Sequence, residues 1–186
     1  MIENAIFERI DYQATKLAKV EYENCIFKNS SFHNADLSGY VFRGCKFDGC
    51  DFSLAQLKNT TLNDIVFVNC KLLGLQFNHC NSFLLSFAFE NCVLHLSVFY
   101  KLKLKKIKFK NCDMRESDFT EADLSGAIFE NCDLDRAVFY NTILEKADLR
   151  SSYNYSFDPE RNRIKKARFS QLGALGLLDK YKIVIE

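Results

Sequence analysis

The sequence has no tryptophan, one proline and seven glycines, whereas phenylalanine occurs 18 times among its 186 residues. Such heavy use of one aromatic residue is typical of a repeated structural position rather than of a varied globular core. Positive and negative charges nearly cancel, which leaves a formal net charge of +1. Nucleic-acid and membrane-surface binders usually carry a basic excess. The charge balance therefore predicts no direct nucleic-acid binding and no membrane binding.

Long apolar segments are also missing. No stretch approaches the roughly 20 consecutive apolar residues of a membrane-spanning helix. The segment from Met1 to Glu8 lacks the basic and apolar regions of a signal peptide. We therefore expect a cytoplasmic protein, and in that compartment its thiols should be reduced.

Motifs of catalysis, nucleotide binding and metal binding are lacking as well. There is no GxGxxG, P-loop or HExxH sequence, and the eight cysteines include no CxxC pair. His33, His79 and His95 fall at outward positions of the repeat described below, with no nucleophile and base implied beside them. The sequence therefore predicts no enzymatic activity, no metal and no cofactor.

A large apolar residue recurs at every fifth position over most of the chain. This register runs from Phe7 to Phe77, breaks at Ser82, and resumes from Leu84 to Leu149. The residue two positions before each central residue is usually small, and seven of the eight cysteines occupy that position. Cysteine is expected there as a small buried residue. Neither the helical period of 3.6 nor the strand period of 2 fits this pattern.

A period of five with two inward positions implies a chain that turns a corner every five residues, so that four sides close one coil. A superperiod supports this geometry: tetrads that end in Asn-Cys begin at Phe67, Phe89, Phe109 and Phe129, at steps of 22, 20 and 20 residues. The two extra residues place a break near residues 78–83. We predict an all-β solenoid, a right-handed quadrilateral β-helix of about seven to eight coils.

Several stretches follow the pattern Ala-(Asp/Asn)-(Leu/Phe)-x-x. They include Ala35-Asp36-Leu37-Ser38-Gly39, Ala122-Asp123-Leu124-Ser125-Gly126 and Ala147-Asp148-Leu149-Arg150-Ser151. On these motifs the chain resembles the pentapeptide-repeat family over about residues 5–151. We assign residues 1–169 to the β-helix, with a degraded last coil at 152–169, and residues 170–186 to a C-terminal capping and dimerisation segment.

The C-terminal segment reads as a short helix after Ser170, weakened by Gly173 and Gly176. It is expected to cover the last coil as a hydrophobic lid. In the quinolone-resistance members of the family, the C-terminal element also joins two rods end to end. The resemblance therefore implies a homodimer, with predicted contacts at Leu172, Leu175, Leu178 and Ile183.

The resemblance also implies a function. The best-known members protect DNA gyrase and topoisomerase IV from quinolones or gyrase-poisoning microcins, and are thought to imitate duplex DNA. B-DNA carries one negative charge per about 1.7 Å, so a rod of about 35 Å would need roughly twenty. This chain nets +1, so mimicry is confined to its most acidic side. The predicted partner-binding residues there are Asp51, Asp113, Glu116, Asp133 and Asp135.

An alternative partner surface is apolar. Between Ile65 and Phe89 the only charged residue is Lys71, while several outward positions carry apolar side chains. Exposed apolar patches often mark contact surfaces, unless the irregular segment 78–83 covers this one. The alternative function is a scaffold that binds another cytoplasmic protein through this patch. Its predicted residues are Val66, Val68, Leu73, Val93, Leu96, Val98 and Tyr100.

Overall fold

A computed structural model, which describes residues 1–185, shows a β-helix whose backbone turns a corner about every five residues. Equivalent residues of successive coils pair in parallel, so that Phe27 lies beside Phe7. We number the four sides by their first inward residue: side 1 begins at Phe7, side 2 at Tyr12, side 3 at Leu17 and side 4 at Tyr22. The predicted solenoid architecture is confirmed.

Eleven short strands lie on sides 1 and 4. They are β1 (Ile2–Glu3), β2 (Ile6–Glu8), β3 (Glu21–Glu23), β4 (Ile26–Lys28), β5 (Val41–Arg43), β6 (Lys46–Asp48), β7 (Thr61–Asn63), β8 (Ile65–Val68), β9 (Phe87–Glu90), β10 (Lys108–Lys110) and β11 (Ile128–Glu130). Side 1 forms a seven-stranded parallel sheet in the order β11-β10-β9-β8-β6-β4-β2, and side 4 a four-stranded sheet in the order β1-β3-β5-β7. Isolated parallel bridges hold the remaining sides together.

Helical structure in residues 1–185 consists of short 3-10 segments. They are Phe77–His79, Pro159–Arg161, Gly173–Leu177 and Asp179–Tyr181. Within the same residues, no helix has the length and apolarity required to cross a membrane.

Stacked aromatic rings fill the interior. The rings of Phe27 and Phe47 lie 4.9 Å apart at an interplanar angle of 15°. Those of Phe89 and Phe109 lie 5.4 Å apart at 1°. Because seven successive coils each contribute a phenylalanine ring to side 1, from Phe7 to Phe129, the burial of apolar surface that stabilises the rod is repeated coil by coil.

Most corners are formed by a residue in the left-handed backbone conformation, two positions after the central residue. Asparagine and glycine adopt positive φ more readily than other residues. Asn91 and Asn111 have φ of 53° and 52°, and Gly49 and Gly126 occupy equivalent corners at 66° and 67°. The five-residue period predicts only that this position faces outward, although its recurrent Asn and Gly residues are a signal of the corner.

Where the residue directly after a corner is Cys, Ser or Thr, its side chain often donates a hydrogen bond to the preceding coil. Cys92 Sγ lies 3.5 Å from the carbonyl oxygen of Phe67, and Ser97 Oγ lies 2.8 Å from that of Leu72. All eight cysteines are buried and free, and burial raises the pKa of Cys80 to about 12. The thiols are small buried groups, as predicted, and they also act as weak donors.

The register break lies on side 4, and the residue that faces inward there differs from the predicted one. Leu84 was expected to face inward, but it is 55% exposed and has φ of 55°. The prediction for Leu84 is therefore wrong. Leu85 packs partly against the core instead, so the two extra residues are accommodated in a small outward protrusion with Phe83 at its tip.

Phe87 fills the interior space at the break. It lies two positions before Phe89, where the paired residue of the preceding coil is Ile65, and its ring lies 5.2 Å from the rings of both Phe77 and Phe89. The side chain thereby replaces the inward residue that side 4 lacks in this coil. On side 1 the stack continues without a shift, since Phe67 pairs directly with Phe89.

The C-terminal end is closed by the last 3-10 segments. The last coil still pairs with the preceding one at Asp148 and Arg168. A Cβ at Gly173 would lie 1.9 Å from Tyr155 Oη, and one at Gly176 would lie 2.0 Å from the Tyr155 carbonyl oxygen. The two glycines, read from sequence as weakening a helix, therefore permit close contact with the last coil.

Candidate partner-binding surfaces

The predicted acidic residues all lie on side 2. Asp51, Asp113 and Asp133 occupy the same position in different coils, within one column of parallel bridges that also contains Lys71. Glu116 and Asp135 lie at other outward positions of the same side. The coil register therefore brings together residues that are up to 84 positions apart in the sequence.

Ion pairs compensate much of this negative charge. Arg115 contacts both carboxylate oxygens of Asp113, at 2.8 and 2.7 Å, and this guanidinium holds the pKa of Asp113 below its usual value. Arg136 lies 3.1 Å from Glu116 and 3.3 Å from Asp135. Side 2 is thus a mixed-charge surface rather than a continuous acidic one.

Two of the five predicted carboxylates on side 2 have no ion-pair partner among residues 1–185. Among residues 1–185, neither Asp51 nor Asp133 has a cationic nitrogen within 4.0 Å. Each accepts a backbone hydrogen bond from the residue two positions later, at 2.9 Å for Asp51 and 3.1 Å for Asp133. Asp133 also lines a shallow hollow of about 290 Å³ together with Asp113 and Tyr153. These two residues are the strongest candidates for charged contacts on this side.

The predicted apolar residues do not form one surface. Val66 and Val68 lie on side 1, Val98 and Tyr100 lie on side 3, and the remaining three lie on side 2. Those three are Leu73, Val93 and Leu96. The predicted patch is therefore distributed around the rod, and only part of it can contact a single partner.

A more compact apolar corner lies between sides 2 and 3. Leu54 and Leu96 occupy equivalent corner positions and are 57% and 46% exposed. Gly74 lies between them, and a Cβ there would be 3.5 Å from Leu54 Cδ2. We call Leu54, Leu73 and Leu96 the apolar corner. Leu54 was missed in the sequence analysis because it lies outside the uncharged stretch.

The C-terminal residues predicted to form a dimer are accessible. Leu172 is 82% exposed, and Leu175, Leu178 and Ile183 are between 36% and 56% exposed. Leu177, by contrast, packs partly against the core. One face of the segment therefore covers the last coil, while its other leucines remain available for contact with a partner.

The arrangement offers no metal site within the described part of the chain: no three His, Cys, Asp or Glu residues of 1–185 are placed to hold one ion. His33 and His79 are exposed, and His95 Nε2 lies 3.5 Å from Glu116 Oε1.

Comparison with known proteins identifies the family. A model described as a pentapeptide repeat region matches residues 82–154, and one described as pentapeptide repeats (8 copies) matches 25–64 and 41–74. Together these matches span more than half of the chain. The chain belongs to the pentapeptide-repeat family. No match was found among curated proteins.

Two solved structures of QnrB1 share the fold. Full-length QnrB1, a plasmid-mediated fluoroquinolone resistance protein, is 18% identical with a TM-score of 0.63, over 97% of this chain and 99% of that one. A trypsin-treated QnrB1 variant is 18% identical with a TM-score of 0.62, over 100% of both chains. A third match is HetL, a pentapeptide-repeat protein involved in heterocyst differentiation regulation in the cyanobacterium Nostoc sp. strain PCC 7120. It is 16% identical with a TM-score of 0.49, over 88% of both chains. At these identities the likeness concerns the fold.

Proposed function

We propose that this pentapeptide-repeat chain is a non-enzymatic cytoplasmic protein that binds DNA gyrase or topoisomerase IV and protects it from a quinolone or a gyrase-poisoning toxin. The observation that carries this proposal is the agreement in fold with QnrB1 over the full length of both chains. Function on a shared fold depends on surface residues, so the proposal must also name the surface that makes the contact.

Side 2 is the proposed contact surface, acting as a partial DNA mimic. Because Asp113, Glu116 and Asp135 are ion-paired, the predicted carboxylates free of an ion pair within residues 1–185 are Asp51 and Asp133, and Asp11 in the same column is also free of one. Duplex DNA is far more densely charged. Recognition on this side therefore relies on the shape of the rod more than on a continuous row of charges.

The test is gyrase supercoiling at a fixed quinolone dose, titrated with the purified protein and repeated without drug. We expect the protein to restore supercoiling. Absence of rescue, together with absence of inhibition up to micromolar protein, would contradict the proposal.

A charge-reversal pair tests the contact surface. Asp51→Lys with Asp133→Lys should abolish rescue, and lysine is tolerated at this position because Lys71 already occupies it. The matched control is Glu3→Lys with Asp64→Lys, two exposed acidic residues on side 4. The control changes the net charge equally and should retain rescue. Equal loss in both variants would mean that overall charge, not side 2, governs the activity.

Dimerisation through the C-terminus is the second part of the proposal. Exposed leucines on a segment that already covers the last coil form an apolar end surface. We expect a homodimer in solution, and Leu172→Glu with Leu175→Glu should convert it to a monomer when mass is measured by light scattering. Leu54→Glu, away from this end, is the control. A wild-type chain that is monomeric at all tested concentrations would refute this part.

The apolar corner supports a second candidate function, an interaction scaffold for another cytoplasmic protein. Leu54 and Leu96 are exposed leucines on one edge of the rod, where burial against a partner would be favourable. Leu54→Glu with Leu96→Glu separates the two candidates. If gyrase rescue survives this change but fails with the side 2 pair, the acidic side makes the contact. The reverse pattern would assign the contact to the apolar corner.

A further inference from the structure

Positive charge is concentrated on the C-terminal half of side 4. Five exposed lysines occupy outward positions on three of the four coils of this half. We call them the basic surface: Lys103, Lys106, Lys146, Lys165 and Lys166. The side faces away from side 2, so it is separate from the surface proposed above.

The negative charges on this half of side 4 are already used. Lys105 Nζ lies 3.4 Å from Asp123, and an Arg163 guanidinium nitrogen lies 2.6 Å from Glu145. These pairs leave the five lysines of the basic surface with no carboxylate within 4.0 Å among residues 1–185. A chain with a net charge of +1 therefore carries a local excess of five positive charges.

The lysines are ordered by the coil repeat. Lys106, Lys146 and Lys166 occupy equivalent left-handed corners, with φ of 60°, 60° and 61°. Gly126 fills the intervening corner, and a Cβ there would be 3.5 Å from Lys106 Cγ. With coils about 4.8 Å apart, the three corner lysines are distributed over about 15 Å along the rod. The corner backbone therefore places the cations in one row along side 4.

The chemistry of the surrounding positions selects the partner. The other outward residues of this half are Ser125, Gly126, Ile143 and the two ion pairs, with no aromatic side chain among them. Proteins that bind single strands stack bases on aromatic residues, which this surface lacks. Cations without base-reading groups contact phosphates and carry no sequence information.

We propose that the basic surface binds the phosphate backbone of duplex nucleic acid without sequence preference. The sequence-based expectation of no nucleic-acid binding rested on the net charge, which averages over all four sides. The proposal does not depend on gyrase binding, and sides 2 and 4 face opposite directions. One rod therefore has room for a protein partner and a duplex at the same time.

The experiment is fluorescence anisotropy of a labelled 20-base-pair DNA of mixed sequence, titrated with the full chain. If five phosphates are neutralised, log K should fall with log salt at a slope of about −4.5, so affinity should drop about 500-fold between 50 and 200 mM salt. Binding that is undetectable at 50 mM salt, or that hardly changes with salt, would overturn the proposal.

Two charge-matched variants locate the contact. The first variant replaces four lysines of side 4 by Glu: Lys103, Lys106, Lys146 and Lys166. The second variant replaces four exposed lysines of sides 2 and 3 by Glu. The control positions are Lys16, Lys19, Lys58 and Lys71. We expect the first variant to bind DNA at least 50-fold more weakly than wild type and the second to lose less than threefold in affinity. The circular dichroism of both variants should be unchanged. Equal loss in the two variants would overturn the proposal.

Two further probes test the chemistry of the partner. Replacing the same four side 4 lysines by Arg should retain binding, since the charge is kept. Labelled polyglutamate and single-stranded DNA of the same length should bind more weakly than the duplex. Tighter binding of polyglutamate would indicate an acidic protein partner and overturn the assignment to nucleic acid, and tighter binding of the single strand would overturn the assignment to a duplex.

Discussion

Asn91 Nδ2 donates a hydrogen bond of 3.1 Å to Asn69 Oδ1, although these residues are 22 positions apart instead of the usual 20. Asn111 donates to Asn91, and Asn131 donates to Asn111, each at 3.0 Å. The amide ladder therefore passes the level of the register break without interruption. Side 4 absorbs the two extra residues, and the corner after side 1 does not move.

The amide ladder predicts an order of stability at Asn111. Asn111→Gly keeps the left-handed corner but loses the amide hydrogen bonds. Asn111→Ala loses the same bonds and also places a Cβ in a conformation that costs about 1–2 kcal/mol. We expect wild type to be most stable, Gly intermediate and Ala least stable by about 1 kcal/mol further. Urea unfolding midpoints measure the order, and an Ala variant at least as stable as Gly would contradict it.

Phe87 should be essential to the core at the break. Its ring is buried between Phe77 and Phe89, so Phe87→Ala should destabilise the fold by about 3–5 kcal/mol. The matched control is Phe83→Ala, because Phe83 lies four residues away and is 72% exposed. The control should change stability by less than about 0.5 kcal/mol. Similar thermal unfolding of the two variants would show that Phe87 does not fill the core.

Cys92 should tolerate serine better than valine. Serine keeps a donor for the carbonyl oxygen of Phe67. Ser97 and Ser117, at equivalent positions, donate in the same way to the carbonyl oxygens of Leu72 and Leu94. Cys92→Ser is expected to stay within about 1 kcal/mol of wild type. Cys92→Val removes the donor and adds bulk at a packed corner, at a cost of about 1–3 kcal/mol. If the valine variant unfolds at the same denaturant concentration as the serine variant, the hydrogen bond contributes nothing.

The C-terminal segment should loosen in acid. Lys180 Nζ lies 2.7 Å from Asp158, and this hydrogen bond holds the pKa of Asp158 below its usual 3.8. An aspartate with a depressed pKa contributes its full stability above the unfolded value, and the contribution is lost as pH falls through the folded pKa. The stability difference between wild type and Asp158→Asn should therefore be constant above about pH 5 and shrink below pH 4.

Protection of the tail provides the measurement for Asp158. Hydrogen exchange in residues 173–181 should increase in wild type as the pH falls below 4, after correction for the intrinsic rate. Asp158→Asn should raise this exchange at neutral pH, and because Lys180 also lies 2.8 Å from Glu160, a smaller rise below pH 4 should remain. A tail whose corrected exchange does not depend on pH in wild type would contradict this role of Asp158.

The repeat was predictable because burial alone enforces it. Each side must place a large residue inside and, in most coils, a small one directly after the corner, so Phe27, Phe109 and Cys132 follow directly from the period. The break was not predictable in the same way. A five-residue period treats Leu84 as an inward residue, whereas the structure fills that space from the next side with Phe87.

For the surface residues, the sequence predicts on which side of the rod each one lies but not which residues it contacts. Counting coils placed Asp51, Asp113 and Asp133 in one column, which the structure bears out. The period says nothing about side-chain conformations, so the ion pair between Asp113 and Arg115 could not be foreseen. The apolar patch was inferred from a continuous stretch of chain, and a stretch longer than one coil winds through every side.

The insertion on side 4 shows where this architecture can acquire new recognition elements. Side 1 stays in register across the break through Phe67 and Phe89, while Phe83 and Leu84 are carried outward. Neighbouring coils depend on strand pairing and ring stacking rather than on a constant number of residues per turn. Loop growth at this corner is therefore uncoupled from scaffold geometry, and homologous rods can diversify in binding specificity there while keeping the same core.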